Sequence, residues 1–262
     1  MAGTFRNKLT GKSVVIVGGT SGVGYAVAEA SVEFGANVVV VSRTQDNVNK
    51  TLQRLHLSYP ESNSRVRGFV CDISSSTAEV DITKLFEFIT NNGSRPVYHV
   101  VTTASSLPNI TSLSDATAED MVAFSKYHFI GDTMLAKVAA KYLKGANTSS
   151  FTMTGGAGTH KPPPGWNFWA SVGGAKDALA RGLAVGIAPV RVNLVSLGAI
   201  RTELFERAAG NWGEEAIEAS KNNSLLGTVG DPRDVAETYL AITKNHFQTG
   251  TITFVEGGAL LK

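Results

Sequence analysis

The sequence predicts an α/β fold, a doubly wound parallel sheet of about seven strands with helices on both faces. Three observations carry this expectation. Short apolar runs alternate with longer segments of helical spacing along the chain, the pattern of right-handed βαβ units. The runs are apolar at consecutive positions, as strands covered on both faces require. A glycine-rich turn follows the first run and opens a helical segment, which is the context of a dinucleotide-binding turn and makes the fold Rossmann-like.

The elements follow in order. Val14-Val15-Ile16-Val17 is the first strand. Tyr25 to Phe34 has helical spacing and stops at Gly35, since glycine suits the turn after a helix. Asn37 to Val41 is the second strand, a run of β-branched valines. A polar helix covers Asp46 to about Leu57, and Arg67 to Cys71 is the third strand, ending at Asp72. Val80 to Asn91 is helical and Tyr98 to Thr102 is the fourth strand. One long helix is expected from about Ala118 to Leu143. Ser150 to Thr154 is the fifth strand, the Gly- and Pro-rich patch Gly155 to Gly165 a loop, and Phe168 to Gly186 a helix. Val190 to Val195 is the sixth strand and Gly250 to Val255 a short seventh. With no internal repeat or linker, residues 1–262 read as a single domain.

Composition narrows the function classes. Lys and Arg total 24 against 22 Asp and Glu, which argues against a nucleic-acid partner, whose basic residues should be in clustered excess. The single cysteine, Cys71, excludes an internal disulfide framework and suits a reducing compartment. The run Val14 to Val17 is too short for a signal core or a membrane span. The expectation is a soluble cytoplasmic protein with no membrane partner. No His/Cys spacing suggests a metal.

The turn Gly18-Gly19-Thr20-Ser21-Gly22-Val23-Gly24 has a mechanical logic. Gly18 permits the tight strand-to-helix turn, Gly22 lets the backbone approach a pyrophosphate, and Gly24 lets the helix pack on the strand. The helix N-terminus offers amide donors and partial positive charge to phosphates. After the second strand stands Ser42-Arg43-Thr44, with no acidic residue for a ribose hydroxyl. Arg43 can pair with a 2′-phosphate, and Ser42 and Thr44 can donate to it, which favours NADP(H) over NAD(H). A solvated loop arginine is the alternative. Asp72 is placed to accept from an adenine amino group.

These residues carry a resemblance to the short-chain dehydrogenase/reductases over nearly the whole chain. Val17 to Gly24 resembles that family's Thr-Gly-x-x-x-Gly-x-Gly, and Cys71-Asp72-Ile73 its Asp-Val adenine contact. Arg191-Val192-Asn193 through Gly198-Ala199-Ile200-Arg201-Thr202 is similar to its Arg-Val-Asn…Pro-Gly…Thr stretch. Gly230 to Ala236 and Glu256-Gly257-Gly258 match its C-terminal motifs. The resemblance implies that Thr103 and Ala104 line the cofactor, that Ile200 and Thr202 touch the nicotinamide carboxamide, and that Thr202 to Gly227 is a substrate lid. It also implies a homodimer or homotetramer built through the long helices.

The family's catalytic positions all depart. Its Asn-Asn-Ala-Gly is Thr102-Thr103-Ala104-Ser105, and its helix asparagine falls on His128. Its serine falls on Gly155 or Gly156, leaving Thr154 as the nearby hydroxyl. Its Tyr-x-x-x-Lys reads Trp169 to Gly173, and no tyrosine of the chain has a lysine four residues on. The stretch Pro163-Pro164-Gly165-Trp166 with this degenerate helix resembles fungal secondary-metabolism reductases that lack the Tyr-Lys pair, including the reductase/Diels–Alderases of premalbrancheamide-type alkaloids. That group uses an Arg on the helix and an Asp before Pro-Gly-Trp; this chain has His128 and Pro163 there.

Reducing a ketone needs a proton donor, which Trp and Gly do not supply. A cationic iminium needs only hydride, and an enone needs some other acid. His128 and His160 are the candidates, because histidine titrates near neutral pH; a packed helix histidine and a solvated loop histidine are the alternatives. Trp166, Trp169 and Trp212, with Phe168 and Phe205, fall where a substrate pocket should form. Aromatic walls suit a bulky, flat or cationic substrate, although Trp212 and Phe205 read more readily as packing of the lid helices on the body. Catalytic candidates are thus His128, Trp169, Trp166 and Thr154. Three functions fit: an NADPH-dependent reductase of a bulky, pre-activated natural-product intermediate; a cofactor-bound non-redox cyclase or isomerase; and a non-catalytic NADP(H)-binding protein.

Overall fold

The apolar runs become seven parallel strands: β1 (Ser13–Val17), β2 (Asn37–Ser42), β3 (Val66–Val70), β4 (His99–Thr102), β5 (Ser150–Gly156), β6 (Arg191–Leu197) and β7 (Ile252–Val255). Their order in the sheet is β3-β2-β1-β4-β5-β6-β7. The structure is a computed structural model. It describes residues 3–106, 113–212 and 214–262, and for 208–212 and 216 the backbone alone. The strand order reverses between β1 and β4, and in such sheets ligands bind at the carboxyl ends of the strands at that switch point.

Helices α1 (Gly22–Glu33), α2 (Gln45–Ser58) and α9 (Pro232–Lys244) cover one face. Helices α3 (Ala78–Thr90), α5 (Gly131–Ala139) and α6 (Asn167–Gly186) cover the other. The two-residue period of β1 divides the cores: Val14 and Ile16 pack with Val27, Leu55 and Tyr239, whereas Val15 and Val17 pack with Phe86, Leu135 and Ala180. Helices α4 (Ala118–Ser125), α7 (Glu203–Trp212) and α8 (Glu214–Asn222) give no described residue to either core. Among the described residues no helix is long and apolar enough to cross a membrane.

Two sequence expectations are corrected. The helix expected from Ala118 to Leu143 is broken: α4 passes through a π-turn at Lys126–Ile130 before α5 resumes at Gly131. At Gly131 the helix runs against Ile73, whose carbonyl would lie 3.0 Å from any Cβ. The helix ends at Ala139 because Leu143 pairs instead with Val97 in a parallel bridge. The fifth strand runs on to Gly156, paired with Leu197, where a loop was expected. Helix α9 was not among the expected elements; it starts at the Asp231-Pro232 step, where Asp231 accepts from Arg233 N at 2.7 Å and Pro232 opens the helix.

Candidate active site

The glycine turn sits at the switch point, and its cradle is filled to backbone distance. A Cβ on Gly18, whose φ is +84°, would lie 2.7 Å from Ala104 N, and one on Gly24 would strike Gly18 O and Thr103 Oγ1. Thr103 Oγ1 donates to Val17 O and Gly18 O, so Thr103 and Ala104 brace the turn. Val23 is buried under it. At the N-terminus of α1, Ser21 makes no side-chain cap bond and the first turn has no acidic residue. The amides of this first turn therefore face an anion site with no cap from α1 itself, and one of them, Gly22 N, donates to Glu203 Oε2 at 2.8 Å. The residues present fit a dinucleotide pyrophosphate.

The residues expected at the adenosine end close or follow three neighbouring strands, β1, β2 and β3. Ser42 Oγ accepts from Thr20 Oγ1 at 3.1 Å. Thr44 caps α2 by accepting from Asn47 N at 3.3 Å. Arg43 is exposed, its guanidinium 5.6 Å from the Tyr127 ring centroid. Asp72 Oδ1 accepts from Ser74 N and Oγ, at 2.9 and 2.6 Å, which holds its carboxylate in place. Ile73 is buried against Gly131. On the far side, Ile200 is buried and bridges to Gly230. Thr202 Oγ1 accepts from Phe205 N at 3.1 Å and starts α7.

Beyond this crevice four rings meet. Trp169 and His128 have centroids 4.7 Å apart; Phe124 stacks on His128 at 4.4 Å and meets Trp169 edge-on at 4.9 Å. Trp166 stacks on Trp169 at 5.4 Å. The π-turn places His128 here, so that α4 contributes Phe124 one turn earlier. Trp169 Nε1 is buried and makes no hydrogen bond among the described residues. The side chain of Trp212 lies outside the described residues.

His128 is 5% exposed. Burial, and secondarily the Lys176 charge, push its pKa down to about 4. It is therefore a neutral imidazole at pH 7. The sequence-based role of neutral-pH acid is corrected accordingly: His128 can exchange hydrogen bonds, as with Ser106 Oγ 3.3 Å from its Nε2, but at pH 7 it lacks the second, acidic proton of an imidazolium. Thr154 is also committed. Its hydroxyl donates to Thr102 O at 2.7 Å and accepts from Tyr239 Oη at 2.6 Å. His160 is tied to α6, with Nε2 3.0 Å from Asp177 Oδ2 and its ring edge on Phe254.

Gly173 stands where a lysine would fall, and a Cβ there would strike the Thr159 hydroxyl. A side chain at that position would therefore require Thr159 to turn away. Three residues on, Lys176 Nζ is buried 2.7 Å from Asp132 Oδ2, while Asp132 Oδ1 accepts from Thr102 Oγ1 at 2.8 Å. Sequence reasoning missed this network, together with Phe124 and Thr159. The signal available was the adjacent Lys176-Asp177 inside an otherwise apolar helical segment.

A family model described as an SDR-like Rossmann domain matches residues 5–262. The chain belongs to the short-chain dehydrogenase/reductase family. It is 38% identical over 263 residues to the short-chain dehydrogenase/reductase ucsE of an Acremonium species, covering 100% of both chains. It is 33% identical to malC of Malbranchea aurantiaca, covering 98% of this chain and 97% of that one. The solved structure of MalC, described as a reductase/Diels–Alderase, superposes with a TM-score of 0.92 at 32% identity, over 98% of this chain and 100% of that one. A small-chain dehydrogenase solved with NADPH superposes with a TM-score of 0.76 at 26% identity, over 96% of this chain and 100% of the other.

Proposed function

We propose that the protein is an NADPH-dependent reductase of a bulky, pre-activated natural-product intermediate, an iminium, which needs only the hydride; an enone would have to take its proton from solvent once the hydride is delivered. The observation that carries this is the ring cluster Phe124–His128–Trp169–Trp166, with a neutral imidazole, where the family's proton donor would stand. Gly18, Thr20, Ser21, Gly22, Val23 and Gly24 would hold the pyrophosphate, and Ser42, Arg43 and Thr44 the 2′-phosphate. Asp72, Ile73, Thr103, Ala104, Ile200 and Thr202 would complete the cofactor site. The bound nicotinamide supplies a hydride. The chain's own contribution is to orient a flat substrate against the ring faces and keep water out. Ring faces also favour a cationic electrophile, by about 0.5–2 kcal/mol per contact. The segment of α7 and α8 serves as the substrate lid.

The test is NADPH oxidation with a cyclic iminium set against its parent ketone. The reading expects turnover with the iminium and none with the ketone. Equal turnover of both would mean that an acid is supplied after all. The resemblance to MalC supports a second reading, in which the same ring cluster is a template for a non-redox cyclisation. Product formation sustained with NADP⁺ in place of NADPH would favour it.

A further inference from the structure

The amide at the head of the glycine turn already has an anionic partner. Gly22 N donates to Glu203 Oε2 at 2.8 Å, across 181 positions of sequence. Glu203 is the first residue of α7, and Thr202 before it is pressed on the same glycine: a Cβ on Gly22 would lie 2.7 Å from Thr202 Cγ2. The starts of α1 and α7 therefore abut, with one carboxylate between them. Neither Ser21 nor the first turn of α1 supplies a cap of its own, so Glu203 is the group that satisfies this helix end. Its neighbour Glu206 is turned away toward Arg201, 3.7 Å distant.

We propose that Glu203 is an anionic latch on the cofactor site, displaced when a dinucleotide pyrophosphate arrives. It rests on the cofactor reading above. A helix N-terminus stabilises one anion through its free amides and partial positive charge. A phosphate and the Glu203 carboxylate contend for the same amide and repel one another. Cofactor binding thus breaks the bond that holds the first turn of α7 to the glycine turn, and the lid is released as the site fills. In the cofactor-free protein the same bond keeps the lid against the turn.

Calorimetric titration of wild type, Glu203→Gln and Glu203→Ala tests this with three ligands: NADPH, 2′-phospho-ADP-ribose and adenosine 2′-monophosphate. The last carries no pyrophosphate. Both variants should bind the two pyrophosphate ligands about two- to fivefold more tightly than wild type, the range that an exposed charge at a helix terminus spans, with no change for the monophosphate. Amide hydrogen exchange over Glu203 to Arg207 should rise on adding NADPH to wild type, and should already be raised in cofactor-free Glu203→Ala. Unchanged affinity for the pyrophosphate ligands would overturn the latch while leaving the cofactor reading intact. So would an equal gain for all three ligands, since the effect would then lie outside the pyrophosphate site. Absence of binding by any ligand to any of the proteins would overturn the cofactor reading and the latch with it.

Discussion

His128 should make the protein acid-sensitive in a defined window. Its pKa is about 4 in the folded chain against an ordinary 6.5. A lowered histidine pKa means that the unfolded chain takes up the proton first. The stability contributed by the neutral imidazole is therefore complete above pH 6.5, falls as pH drops, and is gone below about 4. Each pKa unit is worth about 1.4 kcal/mol, so lowering the pH from 7.5 to 5 should cost about 2 kcal/mol through this group. His128→Phe keeps a ring against Phe124 and Trp169 and removes the titration. The assay is urea unfolding of both proteins at pH 7.5 and 5. Other buried histidines such as His99, whose pKa burial also depresses, contribute equally to both and cancel. Wild type should lose about 2 kcal/mol more than the variant, equivalent to roughly 4–8 °C in Tm for a chain of this size. A difference below about 0.5 kcal/mol, or an NMR titration placing His128 near its ordinary value, would refute the neutral-imidazole argument.

Lys176→Met should destabilise by about 3–5 kcal/mol, because it strands the Asp132 carboxylate in the interior. Lys176→Met with Asp132→Leu should recover most of that loss, and chemical denaturation of the single and double variants measures both. Gly173→Lys with Trp169→Tyr restores the family's residues but should not by itself restore ketone reduction, since Thr159 stands against the Gly173 Cβ position and must shift before a lysine fits; ketone-dependent NADPH oxidation is the readout, and Thr159→Ala added to the pair should raise it. Arg43→Ala should abolish the preference for NADPH over NADH in a thermal-shift titration, as a charge-assisted phosphate contact is lost.

The strands, the glycine turn and the absence of a Tyr-Lys pair were legible in the chain itself. Runs such as Val38 to Val41 specify a doubly covered strand through consecutive apolar residues, and Gly18 and Gly24 answer to backbone approaches within one βα unit. Such information is local, so composition and spacing carry it. The break at Lys126–Ile130 was not legible in the apolar spacing; it is followed by the close approach of Gly131 to Ile73, a contact made between distant segments. Lys176 with Asp132, Thr159 against Gly173 and Glu203 on Gly22 are likewise long-range pairings. The neutrality of His128 has the same origin. Any histidine has one intrinsic affinity for a proton, and burial beside a lysine from another helix is what moves it. The sequence by itself determined the sheet and the turn that receives a nucleotide. Tertiary structure alone decided which charges are buried, which amide is already held and which imidazole stays neutral, because each depends on distances between segments that the sequence leaves unstated.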